Sequence, residues 1–300
     1  NSVSDAIFMN KARLTDNKRP IASYIFLGTT GVGKTELAKA LTEEIFGDED
    51  KYIRFNMSEF KTKEDITDLR IKLTERIKHQ PFAVLLFDEM EKADKNVMDL
   101  YLQILDDGVL TDEYGNEASF RNCVIIFTTN LGANFIKDEQ KYDKDYSSEH
   151  AKQVLKQQID DELQTNLRPE LVNRIDRKVM FNMLTKDIAM EIVRGGVKKE
   201  IDRIEAIYPN VKVTIHDKDK EHEDDLYSYL TRIGYDSNMG ARPINRTIVD
   251  YFRSPISVQL LKYSNNHDNL ILDVEVVGSA PTQNNLIGTQ KVIFTTYTMQ

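Results

Sequence analysis

GTTGVGKT, Gly28 to Thr35, follows the apolar run YIFL at Tyr24 and precedes the helix-like ELAKALTEEIF. It fills the pattern GxxxxGK[ST] in the strand-then-helix setting where that pattern forms a phosphate-cradling loop. Gly28, Gly31 and Gly33 let the backbone turn tightly, so that successive N–H groups surround the phosphates. Lys34 is expected to reach the β- and γ-phosphates and Thr35 a magnesium ion. Thr29, Thr30, Val32 and Glu36 complete the expected binding set, at a helix N-terminus whose partial positive charge favours an anion. By composition alone such a match arises on the order of once in a hundred in a chain this long. A Gly-rich turn carrying a solvated lysine is the weaker reading.

Working outward, AVLLFDE places Asp88 and Glu89 behind five apolar residues that read as a strand buried on both faces. Alone, two acids after a strand are a weak signal. Behind a phosphate loop at this distance, Asp88 suits the outer shell of the magnesium. Glu89 suits polarisation of the water that attacks the γ-phosphate of ATP. A third apolar run, VIIFTTN, ends in Asn130, whose amide is placed to orient the same water. By itself an asparagine there is an ordinary turn residue.

From Tyr24 to Phe181 five β-like runs (YIFL, YIRF at Tyr52, AVLLF, VIIF, KVMF at Lys178) alternate with helix-like stretches, the mark of a parallel α/β sheet. After Met183 the pattern changes. A helix with apolar Ile188, Ile192, Val197, Ile201 and Ile204 precedes the strand VKVTI and the charged KDKEHEDD run. LILDVEVV from Leu270 and VIFTTY from Val292 then read as two strands of a hairpin. Residues 1–183 are expected to form a nucleotide-binding domain and residues 184–300 a small α/β domain. The opening NSVSDAIFMNKARL reads as the middle of an amphipathic helix, so a longer parent chain is expected.

Forty per cent apolar and 30% charged residues suit a protein with one good core or two modest ones. The longest apolar runs are too short to span a bilayer and no secretion signal leads the chain, so a cytoplasmic location without membrane contact is expected. A net charge of -9 would repel a phosphate backbone, which argues against nucleic acid as a partner. The single cysteine, Cys123, lies in an apolar run and reads as a small core residue. His79, His150, His216, His222 and His267 are scattered without ligand spacing, so no metal beyond magnesium is expected. Ser58 and Glu59 in NMSEF read as a capping pair at a helix start.

The strings RPIASYIFLGTTGVGKTELAKAL, MSEF, LLFDEMEKA, LQILDDGVLTD, FRNCVIIFTTNLGA, LRPELVNRID and GYDSNMGARPINR resemble the second ATPase module of the Clp/Hsp100 AAA+ family. The resemblance runs from near Ala6 to about Val277. It implies a five-stranded parallel sheet of order 5-1-4-3-2 with helices on both faces, then a small domain that completes a hexameric homo-oligomeric ring. It implies ATP and ADP as ligands with Mg2+, and a protein substrate or partner. In NRID, Arg174 matches the arginine finger that reaches the neighbouring subunit's nucleotide, and in GARP, Arg242 matches the second sensor. A planar, permanently charged fork suits developing phosphoryl charge better than lysine does.

Two departures bear on what the hydrolysis energy is used for. The family usually carries a Gly-rich pore loop with an aromatic tip, of the GYVGY kind, between MSEF and LTERI; here the stretch is KTKEDITDLRIK. A natural absence, an engineered deletion and a loop left out of the chain as given are all open. The segment after Asn130 also lacks the IGF or IGL tripeptide of protease-coupled relatives, and LIG at Leu286 to Gly288 lies elsewhere, which argues against ClpP as a partner. Two functions are therefore carried forward: a chaperone motor that moves a protein substrate, and a regulatory or assembly ATPase that switches oligomerisation without threading.

Overall fold

The computed structural model describes residues 18–142, 149–215, 225–236, 239–263, 269–277 and 291–298. The opening helix-like segment, His216, His222, His267, most of the acidic run and the Leu286 to Gly288 tripeptide lie outside them. The chain divides into two compact units, Asn1–Met183 and Leu184–Gln300.

In the first unit the apolar runs become β1 (Ala22–Leu27), β2 (Tyr52–Asn56), β3 (Val84–Asp88), β6 (Val124–Thr129) and β7 (Arg177–Met180), with the short hairpin β4 (Val109–Thr111) and β5 (Glu117–Ser119) set apart. The five strands pair in parallel in the order β2-β3-β6-β1-β7. Counting only those five, this is 5-1-4-3-2 read from the far edge. The period of two in each strand sorts side chains to two faces. Ile25, Leu27, Leu85, Phe87, Ile125 and Phe127 enter one core with α2 (Lys63–His79) and α3 (Val97–Asp107). Tyr24, Phe26, Leu86 and Ile126 enter the other with α1 (Lys34–Phe46). Every residue of β1 and β6 is buried, as helices on both faces require.

Cys123 is fully buried, and burial pushes its thiol up to about 12. The aromatic column Phe55, Phe87 and Phe127 stacks with centroids 6.1 and 5.3 Å apart, with Tyr101 edge-on to Phe127 at 4.8 Å. The first unit continues through α4 (Ala133–Tyr142), α5 (Glu149–Asn166) and α6 (Pro169–Arg174).

Between β2 and β3 the chain makes a short 3-10 turn at Met57–Glu59, buries Phe60, and enters α2 at Lys63. Ser58 and Glu59 therefore do not cap the helix: Ser58 is held by the Asn56 side chain instead. The capping box is formed by Thr62 and Asp65. Asp65 accepts from the N–H groups of Lys61 and Thr62 at 2.9 Å, so donors that no helical carbonyl reaches are satisfied. From there α2 runs 17 residues without a break and buries Leu69, Leu73 and Ile77 at four-residue spacing. Each such side chain contributes about 1.5–3 kcal/mol of burial. The stretch 63–72 is thus the first part of this helix.

In the second unit α7 (Lys186–Ile207) leads to β8 (Val211–Ile215), α8 (Leu226–Gly234), α9 (Arg242–Ile248), a π-helical stretch at Val249–Arg253, α10 (Ser254–Tyr263), β9 (Leu270–Val277) and β10 (Lys291–Thr298). β9 pairs in parallel with β8 and antiparallel with β10. The buried face of α7 is Ala189, Val193, Val197 and Ile204, while Ile188 is 47% exposed. Glu200, buried on α7, receives a two-pronged bond from Arg253, and that guanidinium holds its carboxyl below the usual range.

Candidate functional site

β1 delivers the chain to Gly28 at the end of a buried strand, where φ is +154°. A Cβ there would lie 3.0 Å from the Phe181 Cβ and 3.1 Å from its carbonyl oxygen, so a side chain would press on Phe181 as well as strain the backbone. Gly33, at φ +98°, turns the loop into α1 in a left-handed conformation that favours glycine. It supplies no side-chain cap, so the N–H groups of the first turn of α1 have no capping side chain at that position. A Cβ on Gly33 would meet nothing within 4 Å, so open space lies over the loop. Val32 is buried; Thr29, Thr30, Gly31 and Thr35 are half-buried; Glu36 is exposed and pairs with Lys39 at 3.2 Å.

The Lys34 ammonium folds back over the loop. It donates to the carbonyl oxygens of Gly28, Thr29 (3.3 Å) and Thr129 (3.3 Å), and to Oδ1 of Asn130 at 3.1 Å. Asn130 is thereby joined to the loop of residues 28–35. Its N–H and its Nδ2 both donate to Oε1 of Glu91 at 3.3 Å. The other Glu91 oxygen is buried without a hydrogen-bond partner among the described residues.

Asp88 and Glu89 close β3 beside the end of β6. The Thr128 hydroxyl donates to Oδ1 of Asp88 and accepts from the Glu89 N–H at 3.0 Å, tying the two acids to one side chain. Glu89 has φ +58°, the one positive φ outside glycine among the described residues. Such a backbone costs about 1–3 kcal/mol and persists only where neighbours enforce it. Its carboxylate lies 3.8 Å from the Lys92 ammonium. Oδ2 of Asp88 receives two donors from Arg54, at 2.6 and 3.0 Å. Burial pushes the nearby Tyr52 phenol well above its ordinary value, with Arg54 pulling against the shift and Asp88 adding to it.

Arg174, the last residue of α6, is not drawn into this cluster. Its guanidinium is 52% exposed and forms an ion pair with Asp106 of α3 at 2.7 Å, without hydrogen-bond alignment. Two residues on, Asp176 accepts from the Ser23 N–H at 2.7 Å and from its hydroxyl at 2.8 Å, while Arg19 donates to the Arg174 carbonyl at 2.7 Å. Arg242 lies in the second unit, exposed at the first position of α9.

Residues 19–178 match the AAA domain (Cdc48 subfamily), and residues 184–271 match the C-terminal, D2-small domain, of ClpB protein. The chain belongs to the AAA+ family, in its Clp/Hsp100 branch. It is an ATPase module of that family. It is 39% identical over 282 residues to chaperone protein ClpB of Aquifex aeolicus, covering 87% of this chain and 26% of the relative. Against the ATP-dependent Clp protease ATP-binding subunit ClpC of Staphylococcus epidermidis it is 41% identical over 261 residues, 83% of this chain and 31% of the relative. The S. cerevisiae Hsp104–ADP complex superposes with a TM-score of 0.77 at 33% identity, covering 92% of this chain and 47% of that one. The chain thus spans between a quarter and a third of the length of the ClpB and ClpC relatives.

For this AAA+ module the donor set at the start of α1 and the end of β3 is chemically apt for a hard divalent cation. The Thr35 hydroxyl and the Asp88 carboxylate are oxygen donors of the kind magnesium takes, directly or through water. Sequence reading missed Arg54, Glu91 and Thr128. Each left a trace: an arginine inside the strand YIRFN, a second acid in DEMEK, and a hydroxyl in an otherwise apolar buried strand. Among the described residues no group of three or more His, Cys, Asp or Glu is placed to hold a metal, and no helix is long and apolar enough to cross a membrane.

Proposed function

We propose that the site binds ATP with magnesium and hydrolyses it as one subunit of a homo-oligomeric, hexameric ring that acts on a protein substrate or partner. The observation that carries this reading is the convergence of Lys34, the loop carbonyls and the Asn130 amide beside the linked pair Asp88 and Glu89. The loop N–H groups and Lys34 hold the phosphates, releasing the contacts Lys34 makes to its own loop. Thr35 and Asp88 would hold the magnesium, which when bound supplies positive charge against the β- and γ-oxygens. Glu89 accepts a proton from the attacking water. Asn130, fixed by Glu91, orients that water and reports the γ-phosphate to β6. Arg174 would reach a neighbour's γ-phosphate, and Arg242 is read as the second sensor.

Lys34→Ala tests the binding half. Hydrogen bonds to charged groups are worth about 1.5–3 kcal/mol, so ATP affinity should fall about tenfold to a hundredfold. Calorimetry that finds unchanged affinity removes the phosphate-loop assignment.

The second reading, a regulatory or assembly ATPase that does not thread its partner, is favoured by one observation. The Lys61 to Lys72 stretch is a capped and packed helix start, with Leu69 fully buried, rather than a loop with an aromatic tip. Gripping a polypeptide in an axial channel needs exposed apolar or aromatic tips repeated around the ring. This stretch exposes lysines and acids instead. The protein is therefore expected to hydrolyse ATP and yet fail to unfold a tagged fluorescent substrate, and to gain that ability when a GYVGY loop is grafted between Leu69 and Lys72. Robust unfolding by the ungrafted protein restores the chaperone motor. ClpP is not proposed as a partner, because the segment after Asn130 lacks the docking tripeptide.

A further inference from the structure

β2 is an edge strand of the five-stranded sheet, paired among the described residues only with β3. Ile53 and Phe55 turn into the core while Arg54 between them stays exposed. In register, Asn56 stands opposite Asp88, so Arg54 lies two residues back along the same strand. That spacing lets the Arg54 guanidinium bend forward and place Nη2 at 2.6 Å and Nε at 3.0 Å from one oxygen, Oδ2 of Asp88. The other oxygen is taken by the Thr128 hydroxyl. Both oxygens of the carboxylate assigned to the metal are thus held by the chain's own donors.

The two partners differ in how free they are to move. Asp88 is 13% exposed and fixed at a strand end, whereas Arg54 is 47% exposed on a long stem. A carboxylate so buried is costly without a counter-charge, and Arg54 supplies one. A dication brought to the same carboxylate adds two positive charges beside a third. The like charges repel, and the arginine is the member that can swing into water.

We propose that Arg54 is the resident counter-cation of Asp88, which an arriving magnesium ion has to displace, and that this competition sets how much magnesium the nucleotide site requires. Arg54 is then a positioning residue, acting through Asp88 rather than on the phosphates. The inference rests on the ATPase-site reading above and adds a determinant of its metal dependence.

The test is a titration of magnesium against the binding of a fluorescent ADP, at constant ionic strength, for the wild-type chain, Arg54→Gln and Arg54→Lys. Arg54→Gln removes the competing charge, and the half-saturating magnesium concentration should fall about three- to tenfold. Arg54→Lys keeps the charge and should stay within about twofold of wild type. Binding in EDTA should be equal in all three. If Arg54→Gln does not fold, Arg54→Met carries the same expectation. In an Asp88→Asn background the arginine has no charge to hold, so adding Arg54→Gln should shift nothing further.

A magnesium requirement that is unchanged or higher in Arg54→Gln overturns the proposal. So does a loss of binding in EDTA, which would make Arg54 a phosphate ligand. A wild-type chain that binds no nucleotide at any magnesium concentration defeats the ATPase-site reading, and this inference with it. Normal wild-type binding with no response to Arg54 defeats the inference alone.

Discussion

Glu89→Gln is expected to bind ATP as tightly as wild type and to hydrolyse it about a hundred- to ten-thousandfold more slowly, the usual worth of a positioned general base. Glutamine keeps the length of the side chain and its hydrogen bonding. The backbone N–H that donates to Thr128 is also unchanged, so the left-handed turn at φ +58° is held as before. What is lost is the proton acceptor and the 3.8 Å pairing with Lys92, an exposed contact of little energetic weight. Equilibrium binding and phosphate release should therefore separate in this variant. Turnover equal to wild type would show that another group, with Glu91 the nearest candidate by sequence, takes the proton.

Arg174→Ala should retain ATP binding and lose about a thousandfold or more in turnover, as expected for an arginine supplied across a subunit boundary. Removing its ion pair with Asp106 costs little stability, because the guanidinium is about half exposed. An activity loss can therefore be separated from unfolding by a thermal melt. Wild-type specific activity should rise with protein concentration as subunits assemble, and the variant should stay flat over the same dilution series. Activity independent of concentration, in a protein shown to be monomeric throughout, would mean that one chain completes the site and that Arg174 has no role across a boundary.

The elements that run along the chain were legible in it. The three central strands declare themselves because a sheet covered on both faces needs unbroken apolar runs, as YIFL, AVLLF and VIIF supply. The phosphate loop declares itself because tight turns need glycine at fixed offsets. What was not legible is what neighbouring strands do to each other. Arg54 and Asp88 stand 34 residues apart and meet only because β2 and β3 pair in one particular register. Thr128 joins Asp88 to Glu89 by the same cross-strand logic, and Glu91 meets Asn130 from 39 residues away. One misreading was local. Ser58 and Glu59 have the composition of a cap, but the helix starts later, where Asp65 can reach back to two free N–H groups.

The clamp between Asp176 and Ser23 has a mechanical meaning. Ser23 is the second residue of β1 and Gly28 follows its last, about 16 Å apart at strand rise, and all of that strand is buried. One end carries the loop proposed to hold this subunit's phosphates. The other is bolted to the residue two places beyond the arginine proposed to reach next door, whose own carbonyl is gripped by Arg19. A fully packed strand neither stretches nor bends easily, so β1 acts as a tie rod. A displacement of the phosphate loop when the γ-phosphate leaves would be delivered, with little slack, to the anchorage of the arginine serving the adjacent subunit. In the proposed ring, the nucleotide state of one subunit would thereby bear on the arginine offered to the next.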